Sequence, residues 1–164
     1  METGLKKYTD NMRISAFGVI LFGLWSILKC IMYLVFDTGL FDMVDIYDDG
    51  SEILRVVVIV VTFFILVVDL IFRLIVATSA IRDSKKGDKG LGYIILGSFM
   101  FIMYAVILIA GFFTVDYYGQ IELIIDGVVT VIVDITSLYA MGDLIYSSIM
   151  AKSLRKKTAQ QEAD

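Results

Sequence analysis

Four apolar runs follow one another in this chain, at residues 14–36, 53–81, 90–113 and 121–150. A helix that crosses the hydrocarbon layer needs about 20 residues, each rising about 1.5 Å. All four runs reach that length. The second, rich in Val and Ile, would suit a strand in water, but its length favours a helix. The chain is 59% hydrophobic with a mean hydropathy of +0.84. Soluble domains are about 45–50% apolar, so the excess points to lipid as the solvent. The sequence therefore predicts an all-α membrane protein, a four-transmembrane-helix bundle forming a single domain over 1–150. A basic-to-polar tail over 151–164 is expected to fray from helix into disorder.

The connectors set the expected orientation. Residues 37–52 hold Asp37, Asp42, Asp45, Asp48, Asp49 and Glu52 and no Lys or Arg. Residues 114–120 have no basic residue either, and Tyr117 and Tyr118 there fit an outer interface. Of the 14 Lys and Arg, all but Lys29, Arg55 and Arg73 lie in the N-terminal segment, the 82–89 loop or the tail. Basic residues concentrate on the cytoplasmic side of membrane proteins. Both termini and the 82–89 loop are therefore expected in the cytoplasm of a cell-membrane protein. Lys6, Lys7 and Arg13 ahead of an apolar run imitate a signal peptide. That run is longer than the roughly 7–15 residues of a signal core, and no small-x-small site follows it. It reads as a retained first span.

Absent residue types exclude several chemistries. There is no histidine and one cysteine, Cys30, which removes imidazole ligands, Ser-His-Asp and Cys-His sets, internal disulfides and thiolate metal sites. There is no proline, which counts against broken-helix transporters. Asp45 to Glu52 looks briefly like a calcium loop, but Tyr47 stands at its third position and Val56 where the closing Glu belongs. Gly142-Asp143 matches the end of the Gly-x-Gly-Asp motif of intramembrane aspartyl proteases, but Ala140 replaces the first glycine. No phosphate loop, dinucleotide fingerprint or nucleic-acid module is present, and neither a cofactor nor a nucleic-acid partner is expected.

Each run carries one face unlike the rest. These faces hold Ser15, Gly18, Phe22, Ser26, Lys29 and Tyr33 on the first run, and Arg55, Thr62, Asp69, Arg73 and Ala80 on the second. On the third they hold Gly90, Tyr93, Gly97, Tyr104 and Gly111. On the fourth, Asp126, Thr130, Asp134 and Ser137 are spaced 4, 4 and 3, which places them on one helical face. Polar and small stripes of this kind converge inside a bundle. The glycines are expected to mark close helix contacts.

A charge at mid-bilayer costs about 2.5–3.5 kcal/mol on insertion scales, so these charges need partners. Asp69 and Arg73 are four apart and can pair on one helix. Asp134, near the middle of the fourth run, has Lys29 as its expected partner. Asp126 lies further out, near Arg55 or outer water. Asp143 lies about 180° around the helix from Asp134 and is expected to reach water at the cytoplasmic end.

The ion- or substrate-binding candidates are thus Asp134, Asp126, Asp69, Lys29, Arg73, Thr130 and Ser137. Two functional expectations follow. One is a transporter or ion- or proton-permeating protein, in a homo-oligomer, that uses the buried carboxylates. The other is a non-enzymatic subunit or scaffold of a larger membrane complex, whose charges form structural ion pairs. An enzyme is not expected, for want of nucleophile–base sets. In either case the basic cytoplasmic ends are expected to attract anionic lipids.

Overall fold

The computed structural model describes residues 2–36, 51–87, 90–114 and 121–161, with side chains described over 3–32, 56–87, 90–110 and 129–161. The described residues form four α-helices: α1 (Glu2–Phe36), α2 (Ser51–Lys86), α3 (Gly92–Thr114) and α4 (Ile121–Gln161). Each contains a segment long and apolar enough to cross a membrane. With no proline in the chain, every interior N–H is free to hold its intrahelical bond. The acidic 37–50 stretch and residues 115–120 lie outside the described residues, and the side chains of Tyr33, Arg55, Gly111 and Asp126 are likewise not described.

Three helices outrun their apolar runs at the polar ends. α1 already begins at Glu2, α2 continues through Lys86, and α4 continues to Gln161. The stretch expected as a loop from residue 82 is thus helix through Lys86, and the tail expected to fray is helical to Gln161. α2 stops where Gly87 takes a positive φ of 67°. Glycine enters this left-handed region without the Cβ penalty and commonly ends helices there. The Gly87 N–H donates to the Asp83 carbonyl at 2.8 Å.

The chain divides into two compact units, residues 1–19 with 75–164, and residues 20–74. In the first, neighbouring helices run antiparallel. A Cβ built on Gly4 would lie 3.8 Å from Leu154, and one on Gly18 would lie 3.4 Å from Ala140, so α1 descends as α4 ascends. Gly97 of α3 sits between Val76 of α2 and Ile145 of α4, and the Phe101 ring lies against Gly142. The core of this unit is built from Met12, Ala16, Val19, Val76, Ala77, Ala80, Ile94, Met100, Met141, Leu144 and Ala151. Gly4, Gly18, Gly97 and Gly142 stand at these contacts, where the missing Cβ lets the backbones approach closely. The second unit joins the later part of α1 to the earlier part of α2 through Gly23, which faces Leu70 and Arg73. Cys30 is buried there.

Many large apolar side chains face outward. Ile14 is 70% exposed, Phe64 67% and Ile95 67%. Monomeric proteins in water rarely expose contiguous apolar surface on this scale. Ile, Val and Phe on the outer faces suit helices solvated by lipid.

Of the third-run glycines, Gly97 makes the close contact expected of it, whereas nothing lies within 4 Å of a Cβ on Gly90. Gly97→Leu is therefore expected to overpack the α2–α3–α4 contact and destabilise the protein by about 1–3 kcal/mol. Gly90→Leu should be close to neutral. Thermal unfolding of both variants in detergent checks the contrast.

Candidate functional site

The clearest charge pair within an apolar segment is the one that helical spacing indicates. Arg73 Nε donates to Asp69 Oδ2 at 2.9 Å, one turn away on α2. Both side chains are sheltered, with 5% exposure for Arg73 and 17% for Asp69. Their closeness neutralises two groups that would each be costly in a medium unable to solvate them. α1 makes room for the pair. A Cβ on Gly23 would fall 2.8 Å from Arg73 Cδ and 2.9 Å from Leu70 Cδ1. The aliphatic stem of the arginine therefore lies directly along the α1 backbone.

The other sequence candidates are placed as follows. Lys29 is half-buried on α1. On α4, Thr130 and Ser137 are half-buried and Asp134 is exposed. All four take part in polar interactions within the chain. The Asp126 side chain lies outside those described. Asp69 and Arg73 are the candidate residues whose direct contact the described geometry gives.

The most elaborate polar centre lies in the stretch that the sequence suggests as a short basic loop. Asp83 is fully buried. Its carboxylate accepts a hydrogen bond from the Tyr93 hydroxyl of α3 at 2.7 Å. It pairs with Lys152 at 3.3 Å and Arg155 at 3.6 Å, both on α4. Arg155 Nη2 also donates to the Asp83 carbonyl at 3.0 Å and the Ser84 carbonyl at 3.4 Å, capping the end of α2. Lys152 Nζ lies 5.6 Å from the Tyr93 ring centroid, within cation–π range. α1 joins through Arg13, whose Nε donates to Ser84 Oγ at 3.1 Å. One carboxylate and its neighbouring serine thus tie together residues from all four helices.

The signal for this centre was present in the sequence. Val76, Ala77, Ala80, Asp83 and Ser84 are all buried. They recur at offsets of 0, 1, 4, 7 and 8, one continuous helical face. Reading 82–89 by its charge content concealed that this face runs on into the polar stretch.

A smaller contact joins α1 to α4. Ser15 Oγ donates a short hydrogen bond to Asp143 Oδ2. Asp143, expected to reach water at the cytoplasmic end, is half-buried and accepts this bond. The antiparallel α1–α4 register brings a hydroxyl to it. Close by, the Tyr8 and Tyr146 rings meet edge-on, with centroids 6.1 Å apart at 71°. Ser147 Oγ and Arg155 Nη1 are buried without a hydrogen-bond partner among the described residues.

Chemically, these centres neutralise and position charge. No group of three or more His, Cys, Asp or Glu among the described residues is arranged to hold a metal ion. No family model, curated protein or solved structure matches the chain. The fold thus defines a class, an all-helical chain with four helices fit to span a membrane, and its polar centres are the further guide to what it does.

Removing Asp83 leaves Lys152 and Arg155 facing one another without their shared anion. Asp83→Ala is expected to destabilise the protein by about 3 kcal/mol. That is the low end for a broken buried pair, because the two cations keep 22% and 24% exposure. Tyr93→Phe keeps the ring beneath Lys152 but loses the donor, and should destabilise by about 1.5 kcal/mol. Unfolding in detergent should rank the two in that order.

Proposed function

We propose that this chain is a non-enzymatic integral membrane subunit or scaffold of the cell membrane, with both termini in the cytoplasm. Its charges hold its own helices in register. The observation that carries this reading is the closure of the Asp83 centre, where the carboxylate is matched by a hydroxyl and two cations of the same chain. The Asp69–Arg73 pair is closed in the same sense. A carboxylate that binds a travelling ion must exchange its partner during the cycle, and a tightly internal pair opposes that. Pairing of Lys29 with Asp134 belongs to this reading too. Its partners are the bilayer and either further copies of itself or the other subunits of a complex.

Ion or proton permeation is the second reading. What favours it is the α4 stripe, where Asp134 is exposed within an apolar segment and has Thr130 and Ser137 on the same face. An ionisable residue at such depth is a functional candidate by default.

Proteoliposomes separate the two. As a scaffold, the purified protein gives no sodium, potassium or proton flux above empty vesicles, and Asp134→Asn changes its melting temperature but no flux. Flux in the parent that a folded Asp134→Asn variant lacks would replace the scaffold reading with permeation. Orientation is checked in a Cys30→Ala background. A thiol placed at Ala159 should react with an impermeant maleimide only once the cytoplasmic side is opened, and labelling of intact cells would reverse the topology.

A further inference from the structure

The Asp83 centre draws two cations inward and leaves others outward at the same edge. Lys152 and Arg155 turn to Asp83, while Lys85, Lys86, Lys156 and Lys157 are exposed. Among the described residues, none of these four has an ion-pair partner.

The edge is a built one. A Cβ on Gly87 would lie 3.0 Å from Arg155 Nη1 and 3.1 Å from its Cζ. The end of α2 is therefore seated on the Arg155 guanidinium. Lys86 is the residue before that glycine and Lys156 the residue after that arginine, so one contact brings the two lysine-bearing stretches together. Arg155 Nη1 itself is buried, makes no hydrogen bond, and stands 3.6 Å from its anion. Among the described residues, positive charge at this edge exceeds what Asp83 neutralises.

Depth selects the kind of partner. On α4 the last strongly exposed large apolar residue is Ile149, 50% exposed. Lys156 follows seven residues later, about 10 Å along the helix. The headgroup layer on each side of a bilayer is about 5–8 Å thick, and lysine stems bend back toward it. A lysine stem of this length can bring Lys156 Nζ back to headgroup depth.

We propose that this α2–α4 edge, with Lys85 and Lys86 on one side of the Arg155–Gly87 contact and Lys156 on the other, binds the phosphate of an anionic phospholipid headgroup. The proposal rests on the membrane reading above and adds a located site to it. Basic residues that only direct insertion act during synthesis. A headgroup site acts on the folded protein.

The test uses the full chain in a zwitterionic detergent, with thermal unfolding followed as phosphatidylglycerol is added. Phosphatidylcholine and inorganic phosphate are the comparison additives. Phosphatidylglycerol should raise the melting temperature of the parent by several degrees, and neither comparison additive should. Lys86→Ala with Lys156→Ala should abolish most of the shift. Lys6→Ala with Lys7→Ala removes the same charge from α1 and should preserve it. Equal loss in both double variants would reduce the effect to diffuse attraction and overturn the site. A shift of equal size with inorganic phosphate would make the ligand a soluble anion. No shift with any of the additives would end the proposal. Release of the protein from membranes by carbonate would instead overturn the membrane reading beneath it.

Discussion

A fully buried carboxylate must be neutralised by whatever the fold brings to it, since the desolvation of an unpaired charge is several kcal/mol. Asp83 imposes that condition at the end of α2. It is met from α3 by Tyr93 and from α4 by Lys152 and Arg155. The guanidinium that pairs with the carboxylate also caps the carbonyls of Asp83 and Ser84. The end of α2, the start of α3 and the continuation of α4 are therefore set by one group. The continuation of α4 past residue 151 follows from it. Residues that would fray alone are held because two of their side chains have fixed partners.

The two charge centres illustrate different ways of burying ions. Asp69 and Arg73 pair within a single helix, so their geometry survives small changes in how helices pack. The Asp83 centre spans helices and depends on their register. Gly23 and Gly97 serve the packing in corresponding ways, each removing a side chain where another helix must approach.

The four helices were legible because an apolar run of span length has few alternatives. The Asp69–Arg73 pair was legible because its partners are a helical turn apart. The contacts between helices were not. Ser15 with Asp143, Arg13 with Ser84 and Asp83 with Arg155 depend on the rotation and depth of each helix, which spacing along one helix does not determine. Asp83 was missed for a further reason. Composition marks 82–89 as a polar loop, while the phase of the buried residues before it shows the helix continuing. Where apolar content and helical phase disagreed at a span end, phase was the better guide.

The Asp83 contacts also carry an order in time. Tyr93 lies only 10 residues from Asp83 along the chain, so the hairpin of α2 and α3 closes that hydrogen bond as soon as both helices exist. Arg155 lies 72 residues away. Until α4 has been made, Lys152 and Arg155 are both missing from the carboxylate. Arrival of α4 adds both of these cations to the centre. The arrival of α4 is thereby registered at a single buried residue.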